Sequence, residues 1–553
     1  MAVAMIGSLY DKRLQTGYLF LYFNSGVSRM ACRNLSTTLT PFHWPTLLLV
    51  IGYPVYWLEL YFFRIQGGHT SLFASGLFLL LIGVLAFDYI RSGEARKVLA
   101  SFITVFGVEP WWFVLCSVAG ALVILFVAGH ASLLPPHLPQ EFDVINYHVT
   151  IPRQHLITGS FRHLSWSAAD LFLAPLSHAL SPYWLISQLP NKFPQFLFFL
   201  ALPFVCARLA CRFSGFSCVS GFLAGTFVTG MHAIGIQAGT AMLDIAITYL
   251  FFAAVDSYQQ GDYAIAGIEF SFFIWSKPLM PVFFGIVMVV YLLAVLALRQ
   301  FRGLGTALKP VFWASFLLTG VLIAGPFLWR SWLVAGTPVY PLTVTAMTGN
   351  CSTPVELSAL DRTACRWVAM KDEYGHGRSW GDFLRHFWLI SVPEKGVNNS
   401  FDYPVGFMYL LLLGPFLLFV FGRNGLISSS WWLALFCVVY WGCWWFGSQQ
   451  SRFLLIPLTG MAIVVAATFR SPGRSFRMAV VLALGLTALS VVRAHQADWG
   501  RSAYDVLRPE DRNLLTRARE ILPGMVLSVD RPDVAFAPVR VTVSSRESPF
   551  VVD

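Results

Sequence analysis

Charge is what this sequence has least of. Only 12% of its 553 residues are charged, against roughly 25% in an average soluble domain. A water-soluble chain of this length needs a charged skin, and there is too little charge here to make one. Hydrophobic residues make up 56% and aromatics 16%, which also excludes disorder, collagen, coiled coil and a disulfide-rich secreted scaffold. Cysteine is sparse as well: nine residues, with no CxxC pair of the kind that marks a zinc site or a thioredoxin-type centre. Cys116, Cys206, Cys211, Cys218, Cys437 and Cys443 fall in apolar runs, where a thiol is expected to act as a small hydrophobe. A Walker loop, a dinucleotide fingerprint, HExxH and GxSxG are all missing, so neither ATP nor a redox cofactor is implied. The basic excess, 38 Lys+Arg against 28 Asp+Glu, would point to nucleic acid in a soluble domain. In so apolar a chain it points to the cytoplasmic faces of an integral membrane protein, with no nucleic acid partner.

What the sequence does have is long apolar runs. A membrane helix needs about 20 such residues. Candidate spans are Trp44 to Phe63, Ser71 to Ile90, Trp111 to Gly129, Phe193 to Ala207, Phe216 to Ala233, Ala241 to Val255 and Ala264 to Trp275. They continue with Leu279 to Leu298, Val311 to Leu328, Val405 to Phe421, Trp431 to Phe446, Phe453 to Phe469 and Ala479 to Val492. The expectation is an all-α polytopic protein of about 13 transmembrane helices. Leu171 to Leu189, broken by Pro175, His178 and Pro182, reads as an amphipathic or re-entrant piece.

Short basic loops set the orientation. Clusters at Arg91, Arg96 and Lys97, at Arg208 and Arg212, at Arg299, Arg302 and Lys309, and at Arg470, Arg474 and Arg477 share one side with Lys12, Arg13, Arg29 and Arg33. The amino terminus is then inside and the carboxyl terminus outside. The chain divides into a cytoplasmic segment 1–43, three helices over 44–129, a first outer loop with the amphipathic piece over 130–192, and a core over 193–329. A second outer loop over 330–404, further helices over 405–492 and a small extracytoplasmic tail over 493–553 complete it. The tail carries an expected helix near 509–522 and an alternating run over 535–543.

Few residues remain to do chemistry. The first outer loop holds Glu141, Asp143, Tyr147, His148, Arg153 and His155. Its bland reading is a solvated loop; its functional reading is a carboxylate held at the membrane surface as a general base. Glu141, Asp143 and His148 leave a divalent cation open, although their spacing fits no metal template. Asp244 and Lys277 stand at span ends, as interfacial snorkelling residues, as members of some structural ion pair, or as functional groups, because charge in lipid is costly. Glu269, within a span, suggests only a helix–helix hydrogen bond. Arg452 opens a span after a Ser/Gln-rich turn, as a headgroup anchor or as a guanidinium for a lipid phosphate. Cys351 and Cys365 share the second outer loop and are a candidate disulfide.

These segments, taken in order, resemble the GT-C superfamily of polytopic glycosyltransferases, in particular the bacterial relatives of protein O-mannosyltransferases and the aminoarabinose lipid A transferases. Phe142-Asp143-Val144-Ile145-Asn146-Tyr147-His148 looks like their WDALNYHLP-type segment. Met242-Leu243-Asp244-Ile245-Ala246 looks like YVDLA, Trp275-Ser276-Lys277 like ATK, and Gly336 to Pro341 like GNPVYP. Ser451-Arg452-Phe453-Leu454-Leu455-Ile456-Pro457 resembles RYLLPALP. The resemblance implies inverting transfer of a sugar from a polyprenyl-phosphate donor to a glycan, lipid or protein acceptor, on the outer face of a bacterial inner membrane. It implies Asp143 as base beside Glu141. Lys277 and Arg452 would hold the donor phosphate, with Asp244, Tyr147, His148 and Arg153 lining the substrate site. The competing expectation is a non-catalytic membrane component: a transporter, a flippase or an accessory subunit. No internal repeat of the transporter kind is evident.

Overall fold

The computed structural model describes residues 43–63, 83, 91, 94–134, 141, 143–144, 148–149, 151–152, 155–156, 159–164, 171, 175–184, 192–277, 280–298, 309–340, 374–392, 400–422, 428–469, 472–496, 527–528 and 541–542. Their secondary structure is helical apart from a two-residue parallel pairing of Leu527 with Val541 and Ser528 with Thr542. Among the described residues six helices are long and apolar enough to cross a membrane, or seven if one bent pair counts as a single span. Helices of that length and apolarity are the build of a multi-pass membrane protein.

In chain order the helices are α1 (Trp44–Leu58, continued by a π-helical turn Glu59–Phe63), α2 (Glu94–Val108), α3 (Trp111–Ser132), α4 (Pro175–Trp184) and α5 (Phe193–Phe213). Next come α6 (Cys218–Thr229), α7 (His232–Ala238), α8 (Asp244–Gln260), α9 (Tyr263–Ile274), α10 (Met280–Ala297) and α11 (Pro310–Ala335). The series ends with α12 (Trp380–Leu389), α13 (Phe407–Phe421), α14 (Trp431–Phe446), α15 (Leu455–Thr468) and α16 (Arg474–Ala494). A helix lies on every expected span except 71–90, nearly all of which falls outside the described residues. Helix α2 forms where the basic residues alone point to a loop, because the apolar stretch Val98 to Val108 follows them directly.

Burial separates centre from rim. The spans of α5 and α15 are 67% and 78% buried, whereas those of α3, α10, α11 and α16 are 22% to 33% buried. Helix α8 is buried from Asp244 to Tyr258 and so runs through the centre of the bundle. Close approach needs small residues. A side chain at Gly267 would stand 2.5 Å from the Phe312 carbonyl, so α9 packs backbone to backbone on α11.

The expected span 216–233 is instead two helices, α6 and α7, bent by 69°. The groups freed at the bend find partners: His232 N donates to Val405 O at 3.0 Å, and Thr487 Oγ1 donates to Gly230 O at 2.7 Å. Cys218, expected to act as a small hydrophobe, is disulfide-bonded. The Cys351–Cys365 pairing and the tail helix lie outside the described residues.

Candidate functional site: a charge cluster at one end of the bundle

Residues far apart in sequence meet where α8 begins. Asp244 is the first residue of that helix. Lys277 follows α9, where Ser276 Oγ donates to Phe273 O at 2.7 Å and turns the chain out of the helix. Lys277 Nζ donates to Asp244 Oδ1 at 2.8 Å. Arg452 lies in the 3-10 turn Ser451–Leu454 that opens α15. Its Nη1 donates to Asp143 Oδ2, and its Nε and Nη2 donate to Gln450 Oε1 at 3.2 and 3.1 Å. The ring of Phe453 joins the two pairs: Lys277 Nζ is 5.2 Å from its centroid and the Arg452 guanidinium carbon 5.4 Å. Both distances are within cation–π range.

His148 sits among all four charges. Burial pulls its imidazole down to about 3; Lys277 and Arg452 act in the same direction, and Asp143 and Asp244 oppose them. At neutral pH the ring is therefore uncharged, and its Nδ1 is 3.2 Å from Ser177 Oγ of α4. It brings no positive charge to this group. Glu141 has different partners: Lys192 Nζ at 2.9 Å and the Ala241 backbone N–H at 3.1 Å, with both side chains buried. That arrangement ties the loop down just before Asp143. His155 joins another buried group with His178 at 3.3 Å and Arg330 at 3.1 Å. Tyr147 and Arg153 lie outside the described residues.

Asp402 is the member that motif reading misses. Its Oδ2 is 3.4 Å from Arg452 Nε yet takes no hydrogen bond. Its backbone φ is +85°, a region costly for any residue with a Cβ. Ser451 holds this turn in place: its hydroxyl donates to Tyr403 O at 2.5 Å and accepts from Tyr403 N at 3.1 Å, and its N–H donates to Phe401 O at 2.7 Å. Burial raises the Asp402 carboxyl to about 7; Asp143 and Asp244 add to the rise, and Arg452 and Lys277 oppose it. The one available signal was an aspartate among aromatics, Phe401-Asp402-Tyr403, just ahead of an apolar run.

A second charged group occupies the other end of α8, about 18 Å away at 1.5 Å per residue. Asp256 receives Arg208 at 2.6 Å and Arg212 at 2.8 Å, and Gln260 donates to it at 2.9 Å. Glu269 takes Thr46 and Ser257 at 2.9 and 2.7 Å, with His43 Nδ1 2.6 Å away. Arg208, expected as a loop charge, is fully buried. Glu269, expected to make one interhelical bond, is a hub for α1, α8 and α9.

Among the described residues no group of three or more His, Cys, Asp or Glu is placed to share a metal ion. No family model matches the chain, and no curated protein is similar to it. The class defined by fold and site is thus a multi-pass helical membrane protein. At one end of its bundle, carboxylates and cations from five segments meet around an uncharged imidazole and an aromatic ring.

Proposed function

We propose that the chain is a membrane glycosyltransferase with about 13 crossings. It moves a sugar from a polyprenyl-phosphate donor to an acceptor on the extracytoplasmic face, with inversion. The observation that carries the reading is the meeting of Asp143, Asp244, Lys277 and Arg452 around Phe453 and His148. Two cations that each lie within 5.4 Å of the Phe453 ring centroid suit a phosphodiester, which leaves as a phosphate monoester anion and needs charge neutralisation more than proton donation. The donor phosphate competes with Asp143 for Arg452. When it takes the guanidinium, the Asp143 carboxylate is released to accept the acceptor's proton. The acceptor oxygen then attacks the anomeric carbon on the face opposite the phosphate. The carbon–oxygen bond breaks, its electron pair stays on the phosphate oxygen, and Lys277 and Arg452 hold the new charge. Asp244 keeps Lys277 oriented through their 2.8 Å contact. In this reading Glu141, paired with Lys192, fixes the loop and takes no proton.

The test is Asp143→Asn in the full-length protein reconstituted with bacterial polyprenyl-phosphate sugars. Loss of a positioned base lowers transfer by about 10²- to 10⁴-fold while insertion and thermal stability stay normal. Unchanged transfer would remove Asp143 as base. If no donor supports any transfer by the native protein, a non-catalytic membrane component is the reading that survives.

A further inference from the structure

Helix α12 has one face that no described residue covers. Trp380, Leu384 and Trp388 recur every four residues, so they form one stripe, and they are 84%, 72% and 58% exposed. The opposite face is docked. Phe383 meets Trp445 with ring centroids 5.3 Å apart. Trp441 Nε1 donates to His386 Nε2 at 2.9 Å. Phe387 stacks on Trp441 at 6.0 Å. All three contacts are made with the last two turns of α14.

The helix is built to hold that position. Ser379 and Asp382 form a reciprocal capping box, worth about 1 kcal/mol in such helices. Arg378 donates to the carbonyls of Trp445 and Gly447 at 2.5 and 2.9 Å, which anchors the start of α12 to the end of α14. Two Trp and a Leu are therefore turned outward on a firmly seated short helix. On a monomer in water such a patch is a liability.

We infer that the Trp380, Leu384 and Trp388 stripe lies in the headgroup–acyl boundary of the bilayer, with lipid as its partner. Depth is the first argument. Helix α14 is apolar throughout, so its final turns stand where the hydrocarbon core ends, and α12 packs against those turns. Composition is the second, since Trp on an amphipathic helix is the side chain of the membrane interface. Continuity is the third: Phe446, the last residue of α14, is 78% exposed and extends the apolar surface from the stripe onto the span. Arg385, exposed and next to Leu384, is placed to meet a lipid phosphate. The seating also reaches the charge cluster. Val405 N donates to Ile390 O at 2.8 Å, just past α12, and Gly375 N donates to Ser400 O at 2.8 Å, just before the Asp402 turn. The platform resting on lipid by one face thus carries Asp402 on the other. This inference requires membrane insertion but not the transferase reading.

A photo-reactive benzoylphenylalanine introduced at Leu384 in the full-length protein tests it. A second copy of the probe goes at Asp262, exposed in the polar turn between α8 and α9. Both variants are reconstituted in phosphatidylethanolamine–phosphatidylglycerol vesicles, irradiated and digested for mass spectrometry. The expected result is a phospholipid adduct at position 384 in at least fivefold excess over position 262. Equal yields at the two positions, a cross-link from 384 to a protein chain, or no adduct at 384 overturns the inference. Each residue is exposed, so neither substitution threatens folding, and the readout needs no enzymatic activity.

Discussion

The two ends of α8 carry charge of similar density and use it in opposite ways. At the Asp256 end every carboxylate oxygen is engaged. Asp256 Oδ1 takes Arg212 and its Oδ2 takes Arg208 and Gln260, while Glu269 Oε1 takes Thr46 and its Oε2 takes Ser257. His43 completes the group: burial alone would lower its imidazole, but the Glu269 and Asp256 carboxylates outweigh burial and raise it to about 9. At the Asp244 end Asp244 Oδ2 and Asp402 Oδ2 accept no hydrogen bond from a described residue. The Lys277 side chain there is 25% exposed, more than Arg212 at 15% or Arg208 at 0%. A group whose carboxylate oxygens are all engaged within the protein serves as a clamp. Unsatisfied buried acceptors cost stability, and natural proteins keep them where they are used.

That contrast breaks most visibly at Asp256. Asp256→Ala leaves Arg208 and Arg212 facing each other without their shared carboxylate, a loss of about 3–5 kcal/mol for a buried pair. Expected outcomes are a sharp fall in the yield of monodisperse protein and a lowered thermal midpoint. Wild-type stability would make the Asp256 end dispensable and remove the contrast. Lys277→Ala should do the reverse. On the transferase reading it removes a cation aimed at developing charge, worth about 10²- to 10³-fold in transfer, and it costs less stability than Asp256→Ala, because the ammonium it removes is itself a quarter exposed. A large stability loss without a rate effect would put Lys277 in the clamp.

Sequence reading found one end of α8 and misjudged the other, for a physical reason. Asp143, Asp244, Lys277 and Arg452 each stand alone at the edge of an apolar run, and a single charge against that background is conspicuous. Arg208 and Arg212 stand at a run's edge too, and the positive-inside rule assigns such residues to a loop. Their burial depends on a carboxylate 44 residues or more away along the chain and on His43, ahead of α1, neither of which periodicity can bring near. Asp402 was illegible for the same reason: its place beside Arg452 comes from a turn stapled by Ser451 across 48 residues. Helix positions fared better, because apolar length is a local property, although the bend between α6 and α7 is set by partners from α16 and the segment before α13.

Asp402 gives the finest test of the contrast, because it separates a titrating neighbour from the base. Its folded-state carboxyl is raised from 3.8 to about 7, so the folded protein holds a proton there that the unfolded chain has released. Stability therefore falls as pH rises from about 4 to 7 and is flat above, and Asp402→Asn should remove that slope. The same ionisation acts on the site. Above pH 7 Asp402 adds a negative charge beside Arg452, which on the transferase reading opposes the donor phosphate. The donor, a diester, stays singly charged over this range. Apparent donor affinity should then drop by roughly fivefold between pH 6 and 8, the ~1 kcal/mol felt by like charges about 4 Å apart in a water-like medium. Asp402→Asn should hold the pH 6 affinity throughout and retain transfer. If it instead abolishes transfer while Asp143→Asn does not, the two carboxylates exchange roles, and the base is the one on the lipid-seated platform.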